Sequence, residues 1–320
     1  MISLVVPVYN EASGLRLLYD QVVAASVEWG DNFELLLVDD GSTDESFAIA
    51  RTLAQADHRV RVINFTRNFG HQAAVSAGLF YAAGDPVVVM DADLQDPPEV
   101  LATFLKKMGE VYDVVYAVRT RRKEWWLKRA AYALFYRLLG RLASIPIPLD
   151  AGDFSVMSRA VVDSLNALPE RNRFVRGLRT WVGYRQTGLA YERAARAAGA
   201  PKYTMPKLVN LALDGMISFS FRPLRALSLL GMGLGLLSLL LAAVFVVQYV
   251  TDTTILGHNP RQVRGWSSLI VSVFFLSGVQ LFGLGVLGEY LGRVFDEAKR
   301  RPVYLVRETV NLPVNPGPKV

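Results

Sequence analysis

Pro86-Val87-Val88-Val89-Met90-Asp91-Ala92-Asp93 is the stretch of the chain that decides its fold. Its apolar part follows a Gly-Asp turn and is typical of a buried parallel strand. Asp91 and Asp93 come directly after it, and open α/β sheets bind ligands beyond the carboxyl ends of their strands. Paired hard oxygen ligands there suit a divalent cation that carries phosphate groups. Because Asp-x-Asp also occurs in ordinary turns, the motif needs support from the rest of the chain.

Strand and helix patterns alternate on either side of this motif, between residues 1 and 120. The predicted strands are Ile2–Val8, Phe33–Val38, Val60–Phe65, Val87–Met90 and Asp113–Val118. The predicted helices between them are Ala12–Ser26, Asp44–Ala56, His71–Ala83 and Pro97–Met108. Such alternation predicts an α/β fold, with a mostly parallel sheet and helices on both of its faces.

The C-terminal third predicts two transmembrane helices. Residues 226–250 and 265–288 are stretches of 25 and 24 residues without a charge. At about 1.5 Å per residue, each can cross a hydrocarbon core about 30 Å thick. Two such stretches in tandem disfavour the alternative of buried core helices. The N-terminus lacks the basic flank of a signal peptide, so residues 1–200 are expected to stay on the side of the membrane where they are made.

Charge around the two apolar stretches predicts their orientation. Arg222 and Arg225 precede the first stretch, and four basic residues lie within 293–301, whereas the loop 251–264 holds only two. The positive-inside rule therefore places both termini in the cytoplasm. A net charge of +6 suits contact with anionic lipid, and nothing in the composition calls for nucleic acid. The absence of cysteine excludes disulfides, thiolate metal sites and a cysteine nucleophile.

Residues 123–143 predict an amphipathic helix that lies in the membrane interface. Arg129, Arg137 and Arg141 share one face of this helix, and leucines occupy the other. A helix packed on the sheet with a solvated basic face remains an alternative. The predicted organisation is a catalytic domain at 1–205, a juxtamembrane amphipathic helix at 206–223, a two-helix hairpin at 224–291 and a cytoplasmic tail at 292–320.

Four segments occur in an order that resembles a known family. They are Val6-Pro7-Val8-Tyr9-Asn10-Glu11, Val38-Asp39-Asp40-Gly41-Ser42, Asp91-Ala92-Asp93-Leu94-Gln95-Asp96-Pro97-Pro98 and Gly152-Asp153-Phe154. The pattern resembles that of inverting family 2 glycosyltransferases with a GT-A (Rossmann-like) fold. More narrowly, the chain is similar to polyisoprenyl-phosphate glycosyltransferases, the group of dolichyl-phosphate mannose synthase and bactoprenol glucosyltransferase. The likeness covers residues 2–205, and the two C-terminal spans fit the bactoprenol branch.

The resemblance implies an enzyme that moves one hexose from a nucleotide sugar to undecaprenyl or dolichyl phosphate at the cytoplasmic face of the membrane. By family analogy alone the donor is UDP-glucose. The partners implied are the donor, the lipid acceptor and the bilayer. A homo-oligomer is also expected, because Gly231, Gly235 and the glycines of 283–288 suit close helix packing between subunits, although packing within one hairpin explains them equally well.

The resemblance also assigns the donor site. It gives nucleotide-sugar binding to Pro7, Tyr9, Glu11, Val38, Asp40, Asp91, Arg196 and Lys202. An acid such as Asp40 can accept a hydrogen bond from a base or a ribose hydroxyl, although the same segment also makes a good loop and helix cap. Asp91, Ala92, Asp93 and Gln95 are assigned to Mg²⁺ or Mn²⁺ on the donor diphosphate, where the metal assists departure of the nucleotide. Hard oxygen ligands do not choose between these two metals.

The acceptor site needs cations, because an anionic acceptor and an anionic donor repel each other. Arg119 ends the fifth predicted strand and is assigned to the phosphates, and with Asp93 and Asp153 it completes the expected catalytic set. Lys128, Arg129 and Arg137 are further candidates for the lipid phosphate. His71 stands where a lysine would be expected, which leaves its role open.

Two other classes of function are alternatives to this assignment. A processive polysaccharide synthase would need a Gln-x-x-Arg-Trp motif and more spans, and Arg179-Thr180-Trp181 is only a fragment of that motif. A non-catalytic scaffold or flippase is disfavoured because every acid of the four motifs is present and because the two spans carry no charge.

The resemblance places Asp153 where inverting members of the family have a general base, but a phosphate monoester has a second pKa of about 6 and is already an anionic nucleophile at neutral pH. Asp153 is therefore expected to orient a substrate. The turnover rates of two variants test this: Asp153→Asn should slow sugar transfer less than Asp93→Asn does. A greater loss in Asp153→Asn would contradict the proton-free mechanism.

Overall fold

The computed structural model describes residues 1–119, 151–171, 173–191, 222–252 and 265–312. The described residues up to 191, together with 299–312, form one compact unit, and those between 222 and 298 form a second. The predicted interfacial helix at 123–143 and nearly all of the segment 206–223 lie outside the described residues. The same holds for five predicted site residues: Lys128, Arg129, Arg137, Arg196 and Lys202.

The first unit is built on a sheet with helices along the chain between its strands. Its described strands are β1 (Ile2–Val8), β2 (Phe33–Asp39), β3 (Val60–Phe65), β4 (Val87–Val89), β5 (Val114–Arg119), β6 (Ala151–Met157), β7 (Gln186–Tyr191) and β8 (Val306–Val310). Its described α-helices are α1 (Ala12–Trp29), α2 (Ser46–Ala56), α3 (His71–Tyr81), α4 (Leu101–Val111), α5 (Arg159–Ala167) and α6 (Val175–Trp181). The strands lie in the order β7-β5-β6-β4-β1-β2-β3-β8.

The predicted α/β fold with a mostly parallel sheet is confirmed. β1 pairs in parallel with β2 and β4, β2 with β3, and β5 with β7. Only β6 and β8 run antiparallel to their described neighbours. The five predicted strands correspond to β1–β5, with ends that differ by one residue at most.

Two helix starts were predicted too early, and the structure gives the reason for each. The side chain of Asp44 accepts hydrogen bonds from the backbone N–H groups of Ser46 and Ala12, so it forms a turn before α2 instead of belonging to the helix. Pro97 has an extended backbone, and a short 3₁₀ turn at Pro98–Val100 precedes α4. The prolines thus delay this helix to Leu101.

Apolar residues are buried on both faces of the sheet. Alternate residues of β2 point to opposite sides, so Leu35 and Leu37 join one hydrophobic cluster while Leu36 and Val38 join the other. Gly78 lets α3 approach β1 closely, since a Cβ at this position would lie 2.1 Å from Cγ1 of Val5. Central strands that are buried on both faces explain why their sequences are continuous apolar runs.

The end of the chain returns to the sheet as β8, although sequence analysis assigned no secondary structure to the tail. β8 pairs with β3, and the ring of Tyr304 stacks on that of Phe65 with centroids 5.0 Å apart. Nδ2 of Asn311 donates to the carbonyls of Ala54 and Val60, at 2.7 and 2.8 Å. These contacts close the β3 edge of the sheet with residues far away in the sequence.

The second unit contains two long helices, α7 (Arg222–Thr251) and α8 (Trp266–Ala298), where the sequence predicts membrane spans. Large apolar side chains lie exposed on both, including Leu240 on α7 and Phe282 on α8. Among the described residues, one segment, Phe275–Ala298, is long and apolar enough to cross a membrane. One span therefore has a structural candidate, and the pair of spans stays a prediction.

Tyr304 offers a test of the contribution of the returning segment. Its ring is buried against Phe65, while its hydroxyl makes no hydrogen bond with the described residues. We expect Tyr304→Ala to lower the free energy of unfolding by about 3 kcal/mol. The matched variant Tyr304→Phe should be neutral or slightly stabilising, because it removes an unpaired polar group. Thermal unfolding followed by circular dichroism measures both, and equal losses in the two variants would contradict the packing argument.

Candidate active site

The strand order brings two of the sequence motifs together. β1 lies between β2 and β4, which is a topological switch point where ligands bind in open α/β sheets. β6 runs antiparallel to β4 with Val89 opposite Ser155. Continuing that register by two residues carries Asp91 and Asp153 to the same place. Two carboxylates separated by some sixty residues of chain thus meet beyond the end of β4.

His71, the first residue of α3, lies between these two carboxylates. Its Nε2 is 3.9 Å from Oδ1 of Asp91 and 3.6 Å from Oδ2 of Asp153. Burial would lower the pKa of the imidazole, but the carboxylates of Asp153, Asp91 and Asp40 outweigh this effect and raise the pKa above its ordinary value. The residue whose role the sequence left open therefore lies between the two acids, and their carboxylates favour its protonated form.

Arg176 of α6 holds the other oxygen of Asp153. Its Nη2 and Nε donate to Oδ1 of Asp153 at 3.1 and 3.3 Å. Burial alone would raise the pKa of this carboxyl, but Arg176 and His71 outweigh it and hold the pKa well below its usual range. An acid held between two cations is a weak base, which fits the predicted orienting role of Asp153. Sequence analysis missed Arg176, although it lies three residues before the noted fragment at 179–181.

Asp91 lies near several other carboxylates. Burial, followed by the carboxylates of Asp153, Asp96 and Asp93, raises the pKa of Asp91 to about 6 against the opposing effect of His71. Among the described residues no three His, Asp or Glu side chains form a complete cage for a metal. Mg²⁺ needs only one or two carboxylates when substrate phosphates and waters supply its other ligands. Asp91 and Asp93 therefore fit a divalent cation that arrives with a diphosphate.

The turn after β4 is fixed by its own hydrogen bonds and by β7. Oδ1 of Asp93 accepts the backbone N–H of Gln95 at 3.2 Å, and Leu94 between them has a φ of 58°. The buried Asp96 accepts a hydrogen bond from the hydroxyl of Tyr191. Ala92 in the same turn is also buried. These contacts fix the backbone of the turn that carries the acidic side chains.

The loops after β1 and β2 are joined to each other. The backbone N–H of Asn10 donates to Oγ of Ser42 at 3.0 Å, and its side-chain oxygen accepts from the N–H of Thr43 at 2.8 Å. The N–H of Glu11 donates to Oγ of Ser46. In the strands below, Pro7 pairs with Val38. The predicted nucleotide residues of the two strands therefore do lie side by side.

Asp40 organises the loop that leads to His71. Its carboxylate is 3% exposed and accepts the backbone N–H groups of Phe69 and Gly70 at 2.7 and 2.9 Å. Asp40 therefore fixes the loop after β3, a different role from the turn and helix cap considered for its own segment. Nucleotide binding by Asp40 stays a prediction. A nucleotide would have to reach this buried carboxylate from the surface of the loop that the carboxylate holds.

The remaining predicted residues differ in their exposure and in their place in the sheet. Tyr9 lies just beyond the end of β1 and is 38% exposed. Val38, in the neighbouring strand β2, is fully buried. Arg119 ends β5 and pairs with Tyr191 of β7. This places its backbone at the same edge of the sheet as Asp91, with β6 between the two strands.

Comparison with known proteins identifies the class. Residues 3–165 match the family model described as Glycosyl transferase family 2. The chain is 46% identical over 314 residues to the uncharacterized glycosyltransferase YkcC of Bacillus subtilis (strain 168), covering 97% of this chain and 94% of that protein. It is 42% identical over 309 residues to the bactoprenol glucosyl transferase of Shigella phage SfII, covering 96% and 98%.

A search of solved structures gave a more distant similarity. Glucosyl-3-phosphoglycerate synthase from Mycobacterium tuberculosis, in complex with Mn²⁺, UDP-glucose and phosphoglyceric acid, matches with a TM-score of 0.44 and 22% identity, over 68% of this chain and 77% of that one. From the family match and the two near full-length relatives, the chain belongs to glycosyl transferase family 2. It is a glycosyltransferase, as its four ordered motifs predicted.

The pair of Asp153 and Arg176 generates a prediction for transfer activity. Arg176→Gln should lower kcat roughly 10- to 100-fold, because Asp153 loses the group that orients it. The double variant with Asp153→Asn should be little worse than the worse single variant, since both changes remove one coupled interaction. Steady-state kinetics of the two single variants and the double variant measure the coupling. Losses that multiply would show that the two residues act independently.

Proposed function

We propose that the protein transfers a single hexose, with inversion, from a nucleotide sugar to polyisoprenyl phosphate at the cytoplasmic face of a membrane. One observation carries the proposal: the acids Asp91 and Asp153 flank His71 at the switch point of a chain 42% identical, almost end to end, to a bactoprenol glucosyl transferase. The printed name of that relative supports glucose as the sugar and a polyisoprenyl lipid as its acceptor.

The donor, proposed to be UDP-glucose, occupies the edge of the sheet next to the joined loops. The nucleotide lies against Pro7, Tyr9, Glu11, Val38 and Asp40. Asp91 and Asp93, with the backbone of Ala92 and the side chain of Gln95, would hold Mg²⁺ or Mn²⁺. When bound, the ion would neutralise charge on the departing diphosphate.

In the transfer step, an anionic oxygen of the lipid phosphate attacks the anomeric carbon of the sugar. The bond from that carbon to the diphosphate breaks, and the nucleoside diphosphate leaves with the electron pair. The attack comes from the face opposite the leaving group, so the configuration inverts. The oxygen that attacks is already deprotonated, so Asp153 has no proton to remove. Asp153, fixed by Arg176 and His71, orients a substrate instead.

The acceptor phosphate needs positive charge in order to approach the donor. Arg119 at the end of β5 is the proposed contact, together with Lys128, Arg129 and Arg137, and Arg196 and Lys202 are proposed to close over the diphosphate. These side chains would screen the repulsion between two anionic substrates. An interfacial helix at 123–143 would bring the lipid head group to the catalytic domain.

The proposed membrane anchor is a hairpin of α7 and α8. The apolar segment Phe275–Ala298 and the exposed leucines of α7 support it. Basic residues in the first turn of α7, and others at and just after the end of α8, favour a cytoplasmic location for both termini. On this topology the catalytic domain and its soluble donor share one compartment, and the lipid acceptor reaches the site from the membrane. Assembly into a homo-oligomer through the hairpin is part of the same proposal.

The reaction can be tested with the purified full-length protein in detergent. It is incubated with Mg²⁺, undecaprenyl phosphate and a panel of radiolabelled nucleotide sugars, and label is counted in the organic phase. We expect lipid-soluble label from one donor, lost on addition of EDTA and in Asp93→Asn. Asp20→Asn, an exposed acid on α1, is the matched control and should keep its activity. A folded protein that labels no lipid from any donor would contradict the proposal.

A further inference from the structure

A second arginine lies beside Asp153 and has no role in the mechanism above. Arg176 and Arg179 are three residues apart on α6, a spacing that puts both on the same side of a helix. Both line a small cavity together with Gln72, Ser155 and Asp153. Val89, at the end of β4, also lines this cavity. The cavity therefore lies next to the strand that leads into Asp91.

Arg179 is buried without the hydrogen bonds that its guanidinium requires. Only 2% of the residue is exposed, and within the described part of the chain neither its Nε nor its Nη2 finds an acceptor. One face of the guanidinium lies over the ring of Tyr116, 5.0 Å from the centroid. A buried cation whose donors are unpaired is unfavourable unless an anion meets it.

The neighbouring polar groups are already engaged. Asp153 accepts from Arg176, and the side-chain oxygen of Gln72 accepts the backbone N–H of Val175 at 2.8 Å. Oγ of Ser155 donates to the carbonyl of Asp153. The lining of the cavity thus carries two guanidinium groups and one carboxylate, which leaves one positive charge without a counter-ion there.

We propose that Arg179 is a binding residue for a substrate phosphate. A guanidinium suits this role because its forked N–H groups pair with two phosphate oxygens at once. The proposal rests on the proposed function, which supplies two sources of the same chemistry: the diphosphate of the donor and the monophosphate of the lipid acceptor. In either case Arg176 fixes Asp153, and Arg179 meets the anion next to it.

The test measures binding without sugar transfer, using the full-length protein in detergent and titration calorimetry. UDP with Mg²⁺ is compared with uridine, and farnesyl phosphate is compared with farnesol, so that each pair differs only in its phosphate groups. We expect Arg179→Gln to weaken binding of a phosphate-bearing ligand about 10- to 100-fold and to leave its phosphate-free counterpart unchanged. Loss of UDP affinity identifies the donor diphosphate as the source, and loss of farnesyl phosphate affinity identifies the acceptor.

The matched control is Arg51→Gln, which removes an arginine whose side chain is 53% exposed on α2 and should change none of the four affinities. Arg179→Lys keeps the positive charge but loses the forked N–H groups of the guanidinium. We therefore expect it to weaken binding of the same phosphate-bearing ligand about tenfold. This variant carries the test if Arg179→Gln does not fold.

Several outcomes would overturn the proposal. Unchanged affinity for both phosphate-bearing ligands in a folded Arg179 variant would do so, as would an equal loss for the phosphate-free ligands, which would indicate a structural role. A wild-type protein that binds neither phosphate-bearing ligand would overturn it as well. A wild-type protein that binds one of them through Arg179 but transfers no sugar would contradict the proposed function and support this inference.

Discussion

The pairing of β6 with β4 is the constraint on which the site depends. It is antiparallel in a mostly parallel sheet, so the start of β6 meets the end of β4 and carries Asp153 to Asp91. Two carboxylates brought this close repel each other, and their partial burial increases the unfavourable energy. The structure offsets it with His71 between them and Arg176 on the far oxygen of Asp153. Each of these cations comes from a different helix, so the arrangement also fixes how α3 and α6 pack against the sheet.

The charges around Asp153 and Asp91 favour different chemical roles for these two acids. Arg176 and His71 lower the pKa of Asp153 and favour its anionic form, which suits orientation and opposes proton abstraction. Asp91 lies beside His71 and near three other carboxylates, so its surroundings favour an added cation. A donor diphosphate that arrives with a divalent ion would supply that charge. The loop at Phe69 and Gly70 links this balance to the nucleotide side of the site, because Asp40 holds the backbone directly before His71.

The sheet that supports the site is completed from the far end of the chain. Tyr304 and Asn311 follow α8 and pack on β3 and on the residues around it, so the catalytic domain is continuous in space but interrupted in sequence. Its stability therefore depends on residues that precede α7 and on residues that follow α8. A short strand such as Val306–Val310, with two charged residues among five, carries little local signal, since its position is set by the edge of β3 that it covers.

The five strands β1–β5, the parallel sheet and the family could be predicted from the sequence, because buried parallel strands are continuous apolar runs and the acids that follow them stand at fixed places in short motifs. It also predicted Asp91, Asp93 and Asp153 as acids of the site, and it noted His71 without a role. Only the tertiary structure decided that His71 and Arg176 hold Asp153, that Arg179 is buried without acceptors among the described residues, and that the C-terminal segment forms β8. These facts depend on contacts between residues tens to hundreds of positions apart, and spacing along a chain does not encode which distant charges will share a buried space.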